Sequence, residues 1–291
     1  MHNIHTHTWD QALHFDPATV HEADRARGRP MDLTVDLDAF LEDAAPFDRV
    51  VVFGLKARLT GTWVPDAYVA DFVAAANARV NAATDAPAPE KVIGFAAADP
   101  TQPDAMDDLV HAVEDLGLRG LKLGPIYAGF DPRDACCEPL YTYCEDHGLP
   151  ILFHTGTTFN RAAPLAVSRP WLFDAVAIRH PELRMVLAHL GHPFGGECLA
   201  VIRKHPHVYA DVAALFYRPW QFYNTLILAQ EYHVTDKLLF GTDYPFAGSQ
   251  ESIAGLRTIN DVTGESGLPR VETATLDGLL HRDALGCLGL T

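Results

Sequence analysis

Several things are scarce or missing in this sequence. Its five cysteines, Cys136, Cys137, Cys144, Cys198 and Cys287, are odd in number, and none are spaced as CxxC. A disulfide framework is therefore not expected, and free thiols in a reducing compartment are. No apolar run is long enough to span a membrane, and the first residues lack the basic-then-apolar pattern of a secretory signal. Positive charge is short: 22 basic residues face 38 acidic ones, a formal net charge of -16. Such a surface repels nucleic-acid phosphates and anionic lipids, so neither is expected as a partner. Together these features point to the cytoplasm. Also missing are GxGxxG, a Walker A loop and a GxSxG elbow, which removes the common nucleotide-binding and serine-hydrolase readings.

What is present is a repeating order. Short apolar runs fall at 3–7, 49–54, 91–100, 120–125, 150–156, 184–191, 207–214 and 237–246. Continuous apolar runs, rather than strict alternation, mark strands buried on both faces. Between them lie segments with helical apolar spacing: 65–83, 106–117, 135–148, 171–183 and 219–233, two of which end at Gly. TDAPAPE at 84–90 reads as a Pro/Ala loop and not a domain boundary. Eight strands alternating with helices predict a (β/α)8 barrel. With no linker or repeat, residues 1–291 are expected to form one domain, closed by terminal helices of which TLDGLLHRDALGCLG is the last.

Barrels of this kind carry their chemistry at the C-terminal ends of the strands. The first strand ends in His5 and His7, which alternation aims to one side. The fourth carries Lys122, the fifth His154, the sixth His189 and the eighth Asp243. Neutral imidazoles and one carboxylate are what a divalent metal binds. Singly, each has a plain structural explanation: a hydrogen-bonded core histidine, or an aspartate capping a loop. His205-Pro-His207 repeats the spacing but precedes the seventh strand, which places it at the barrel bottom. His147 and His180 end helices, where a cation is welcome. Asp211, on the seventh strand, is a candidate to orient a ligand. It is the shared rim that favours a metal site.

IHTHTW, RGLKLGP, PILFHTG, LAHLGHP and LLFGTDYPF together resemble the amidohydrolase superfamily, in the amidohydrolase-2 or aminocarboxymuconate-semialdehyde-decarboxylase-like branch. The likeness runs from His5 to the DGLLHRDALGCLGL end and is weakest over residues 10–48. It implies one divalent metal per subunit, zinc or another ion such as manganese, on His5, His7, His154 and Asp243. It implies a catalytic His189. In binuclear relatives a lysine at the position of Lys122 bridges two metals, which makes Lys122 the candidate for a second site.

Two reactions suit these residues. In one, Asp243 takes a proton from an activated water and His189 polarises a carbonyl, so that a lactone, amide or related bond is hydrolysed. In the other, an aromatic or enolic acid loses carbon dioxide without oxidation. Hydrolysis is the preferred expectation. Arg58 and Trp63 after the second strand, Arg161 and Arg169 after the fifth, His192 after the sixth and Arg218 after the seventh are candidates to hold a small anionic substrate. Phe159, Trp171, Phe216 and Tyr217 are candidate pocket walls. A homodimer is a further expectation.

Overall fold

A computed structural model describes residues 1–82 and 89–290. Most of the loop expected at 84–90 lies outside the described residues. The eight expected runs all form strands: β1 (His2–His7), β2 (Arg49–Phe53), β3 (Val92–Ala98), β4 (Leu121–Leu123), β5 (Ile151–Phe153), β6 (Met185–Leu187), β7 (Val208–Asp211) and β8 (Leu238–Leu239). Each pairs in parallel with the next in chain order. The ring closes where Ile4 N–H donates to Phe240 O at 3.1 Å and Asp243 N–H to His5 O at 2.9 Å. The structure is therefore the expected (β/α)8 barrel.

Two apolar layers hold it. Inside the barrel, Ile4, Val51, Phe53, Ile93, Phe95, Leu152, Val186 and Leu239 pack together. The same cluster includes Ala284, Leu285, Leu288 and Leu290, so the final helix (Ala284–Leu288) packs against the barrel interior. A larger cluster fills the space between strands and outer helices. The helix expected at 65–83 is observed as Asp66–Ala82, and that at 219–233 as Pro219–Glu231.

The last segment departs from expectation. Rather than one helix it is two, Thr273–His281 and Ala284–Leu288. Arg282 turns to an extended conformation at the break, and the Asp283 side chain accepts from Gly286 N–H as the N-cap of the second helix. Residues 10–48, weakest in the resemblance, form a short helix capped by Asp10 (Gln11–His14) and two further helices, Pro17–Arg27 and Leu37–Asp43. Arg25 donates to Phe159 O at 2.9 Å and so ties Pro17–Arg27 to the loop after β5.

Candidate metal centre and active site

Strand exits bring the expected residues together. His5 and His7 both reach one carboxylate oxygen: Asp243 Oδ1 lies 3.2 Å from His5 Nε2 and 3.1 Å from His7 Nε2. His189 Nε2 lies 3.3 Å from His154 Nδ1. Ligand atoms of His5, His189 and Asp243 fall within 4.8 Å of one another. All five side chains are buried. Backbone strain accompanies them: His189, Leu190, Ala214 and Asp243 all have positive φ, at the exits of β6, β7 and β8. Such conformations cost of order 1 kcal/mol or more each for residues other than Gly, and they concentrate at functional sites. Gly241 allows the close fit of β8 on β1, since a Cβ there would lie 2.7 Å from His5 Cβ.

The hydrogen bonds fix which nitrogens carry protons. His5 Nδ1–H donates to Asp211 Oδ2 at 2.8 Å, leaving a lone pair on Nε2. His189 Nδ1–H donates to the Ala213 carbonyl at 3.0 Å, and His154 Nε2–H to the Thr157 carbonyl at 3.2 Å. A carbonyl can only accept, so His189 Nε2 and His154 Nδ1 face each other as lone pairs. His5 Nε2 faces the Asp243 carboxylate in the same way. Lone pairs crowded at 3.2–3.3 Å need a cation or a proton between them; His7 Nε2 lies within hydrogen-bond reach of the same Asp243 oxygen. Nitrogen ligands on a tetrahedral zinc, about 2.0–2.1 Å from the ion, stand about 3.3 Å apart. Chemistry and spacing of these donors fit a divalent metal.

Electrostatics agree. Burial works against charge on His5, yet Asp211 and Asp243 raise its pKa overall. Burial lowers the pKa of His154, His189 and His7, the last to about 3. These rings are neutral at neutral pH, the state in which an imidazole can bind a metal. Burial alone would raise the pKa of Asp243, but the His5 and His7 imidazoles beside its carboxylate hold it well below the usual carboxylate range. Asp211 is fully buried and also accepts from the backbone N–H of His189 and Ala213, at 2.8 and 3.0 Å. It therefore orients two histidines at once. Because the lone pair of His189 faces the site, its ring must gain a proton before it can polarise a carbonyl.

Two connected cavities open over these residues and share Tyr127, His154, Phe159, His189, Asp243 and Phe246. The outer one, about 450 Å³, is bordered by Arg27, His192, Tyr217 and Arg218. The inner one, about 70 Å³, is walled by Trp9, Phe15, Leu33, Leu55, Thr60 and Lys122 among others. Of the expected substrate contacts, His192 and Arg218 border the outer cavity, and burial lowers the pKa of His192 to about 4. Arg58 stacks on Trp63, its guanidinium 3.7 Å from the ring centre, and neither lines these two cavities. Arg161 is exposed near Glu22, and Arg169 is held by Glu197. The structure does not bring these four to the site. Phe159 and Tyr217 line it, Phe216 packs into the core, and Trp171 is exposed. His205 binds Asp174 at 2.7 Å.

Residues not anticipated are Trp9, Phe15, Arg27, Thr60 and Phe246. Trp9 stands two positions after His7 and stacks on it at 4.2 Å, a neighbour legible in IHTHTW. Arg27 ends a helix with little apolar patterning, and Phe15, Thr60 and Phe246 lie in irregular segments, so no periodic pattern announces them.

The model of the family described as amidohydrolase matches residues 3–281. Curated protein sequences gave no match. Solved structures share the fold at low identity. A TIM-barrel protein of uncharacterized function from Bordetella bronchiseptica is 21% identical, with 99% of this chain and 100% of that one covered and a TM-score of 0.68. A probable 2-pyrone-4,6-dicarboxylic acid hydrolase from Acinetobacter baumannii, with citric acid bound, is 13% identical, covering 99% and 98%, with a TM-score of 0.67. A dihydroxybenzoic acid decarboxylase from Polaromonas sp., bound to manganese and the inhibitor 2-nitroresorcinol, is 15% identical, covering 99% and 96%, with a TM-score of 0.58. With the family match spanning nearly its whole length, the chain belongs to the amidohydrolase family, in the amidohydrolase-2 branch that its strand-exit motifs resemble.

Proposed function

We propose that the protein is a metal-dependent hydrolase of a small carboxylate-bearing substrate, cleaving a lactone, amide or related C–O or C–N bond. The observation that carries this reading is two pairs of facing lone pairs, His5 Nε2 against Asp243 and His189 Nε2 against His154 Nδ1. His5, His7, His154 and Asp243 would hold one divalent ion, zinc or manganese, with His189 beside them. Such an ion supplies a water acidified towards neutrality and an electrophile for a carbonyl oxygen.

The chain's own residues do the rest. Asp211 fixes the His5 ring through Nδ1. Asp243, ionised at neutral pH, takes a proton from water at a carboxylate oxygen and returns it to the leaving oxygen or nitrogen. His189 Nε2, once protonated from solvent, donates a hydrogen bond to the developing oxyanion and keeps that proton when the intermediate collapses. Arg27 and Arg218 support an anionic substrate. Each packs on the face of Tyr217, 5.6 and 4.5 Å from the ring centre, and among the described residues neither forms an ion pair within 4.0 Å. Arg25, Arg79, Arg133 and Arg169 are, by contrast, each bound to a carboxylate.

One observation favours a second reading, decarboxylation of an aromatic or enolic acid: the inner cavity is walled by Trp9, Phe15, Leu33, Leu55 and Phe246, a setting suited to a flat ring. A panel of lactones, amides and hydroxylated aromatic acids, turned over in oxygen-18 water, separates the two. Hydrolysis places solvent oxygen in the product. Carbon dioxide release with a solvent hydrogen on carbon, and no solvent oxygen in the remaining product, would replace the hydrolase reading with the second. In either case Asp243→Asn is expected to lower turnover about a hundredfold or more, the usual loss for a general base.

A further inference from the structure

The inner cavity holds a pattern the metal reading leaves unused. Lys122 Nζ, Trp9 Nε1 and Thr60 Oγ1 are all buried and, among the described residues, have no hydrogen-bond partner. The three residues are 2%, 3% and 4% exposed, and all line the same cavity of about 70 Å³. They arrive from three parts of the barrel. Lys122 lies in β4, with its ammonium 4.6 Å from the Phe53 ring centre. Trp9 follows β1. Thr60 ends the turn after β2, where its carbonyl is occupied by the Thr19 hydroxyl. Lysine and indole can only donate, and the threonine hydroxyl can donate too. Leaving such donors buried and unpaired is costly, most of all for a charged one. Three together against apolar walls are poor design for a core. They suit a pocket that receives an acceptor-rich group.

We propose that Lys122, Trp9 and Thr60 form a carboxylate-binding subsite inside the barrel mouth, beyond the metal centre, which takes the anionic head of the substrate. It deepens the proposed function and rests on that reading for the adjacency of a reacting bond. Charge makes a carboxylate the fitting group: Lys122 is the only cationic side chain among the residues lining this cavity, apart from its histidines. Asp243, His154 and His189 border the same cavity as acceptors. Donors and acceptors lining one cavity would orient a bound acid, with its head at Lys122 and its reactive bond at Asp243.

The test uses benzoate and its neutral counterpart benzamide as probes, with calorimetric titration of the protein as purified. Three near-isosteric variants each delete one donor: Lys122→Met, Trp9→Phe and Thr60→Val. Benzoate is expected to bind wild type better than benzamide. Lys122→Met should weaken benzoate about tenfold or more, as for losing a charged hydrogen-bond partner, and leave benzamide unchanged. The other two should weaken benzoate several-fold. Metal content, measured on the same samples, should be unaltered in Trp9→Phe and Thr60→Val. No preference for benzoate in wild type, or benzoate binding unchanged in all three variants, overturns the subsite. So does loss of metal from Lys122→Met with Trp9→Phe and Thr60→Val silent, which would make Lys122 a metal bridge. The metal reading fails separately, if His5→Ala/His7→Ala keeps full metal while the benzoate preference persists.

Discussion

At the scale of single residues, proton placement governs the account. The carbonyls of Ala213 and Thr157 and the carboxylate of Asp211 each capture one imidazole N–H and so turn a bare nitrogen into the site. Asp211→Asn keeps the size of the side chain but loses the charge that holds His5. Removing such an orienting partner usually costs about 10–100-fold in metal affinity, and that is the expected loss, read by competition with a chelator. Unchanged affinity would mean that Asp211 serves only the backbone amides of His189 and Ala213. Sequence made the histidines and Asp243 legible, because each follows an apolar run at a strand exit, and it made Asp211 a candidate orienter. It could not show that Asp211 touches His5, 206 positions away, since such a pairing exists only once the barrel closes. Trp9 was visible beside His7, but its role depends on Thr60 and Lys122, which only the fold brings near.

At the scale of elements, the strands were readable because two-sided burial writes a continuous apolar run. Their lengths were not. The run at 237–246 yields a strand of two residues, Leu238–Leu239, because beyond it only isolated contacts such as Thr6 with Tyr244 join β1, while Asp243 and Phe246 turn into the site. The break in the last helix at Arg282 was hidden by an apolar spacing that continues across it. The wall contributed by Pro17–Arg27 was hidden too, since an exposed helix with little apolar patterning does not disclose what it leans on. Gly241 tests how tightly elements must meet. In Gly241→Ala the added Cβ falls 2.7 Å from His5 Cβ and 3.3 Å from Ala213 Cβ, so β1, β7 and β8 must part. Overpacking of this kind costs about 1–3 kcal/mol. Denaturant unfolding should show that loss, together with reduced metal content. A fully stable, metal-replete variant would show that the strand exits yield more easily than the geometry implies.

At the scale of the molecule, a strongly acidic chain gathers buried acids, imidazoles and one ammonium at one end of a barrel and sets two arginines without ion pairs at the rim. No helix among the described residues is long and apolar enough to cross a membrane. Hydrolase or decarboxylase, the reaction depends on whether the facing lone pairs hold a metal. Elemental analysis of the purified protein beside His5→Ala/His7→Ala measures this directly. Wild type is expected to hold about one divalent ion per chain and the double variant little, with the variant still folded by circular dichroism. Wild type without stoichiometric metal after growth and purification in zinc- and manganese-supplemented conditions, or equal metal in both proteins, would contradict it.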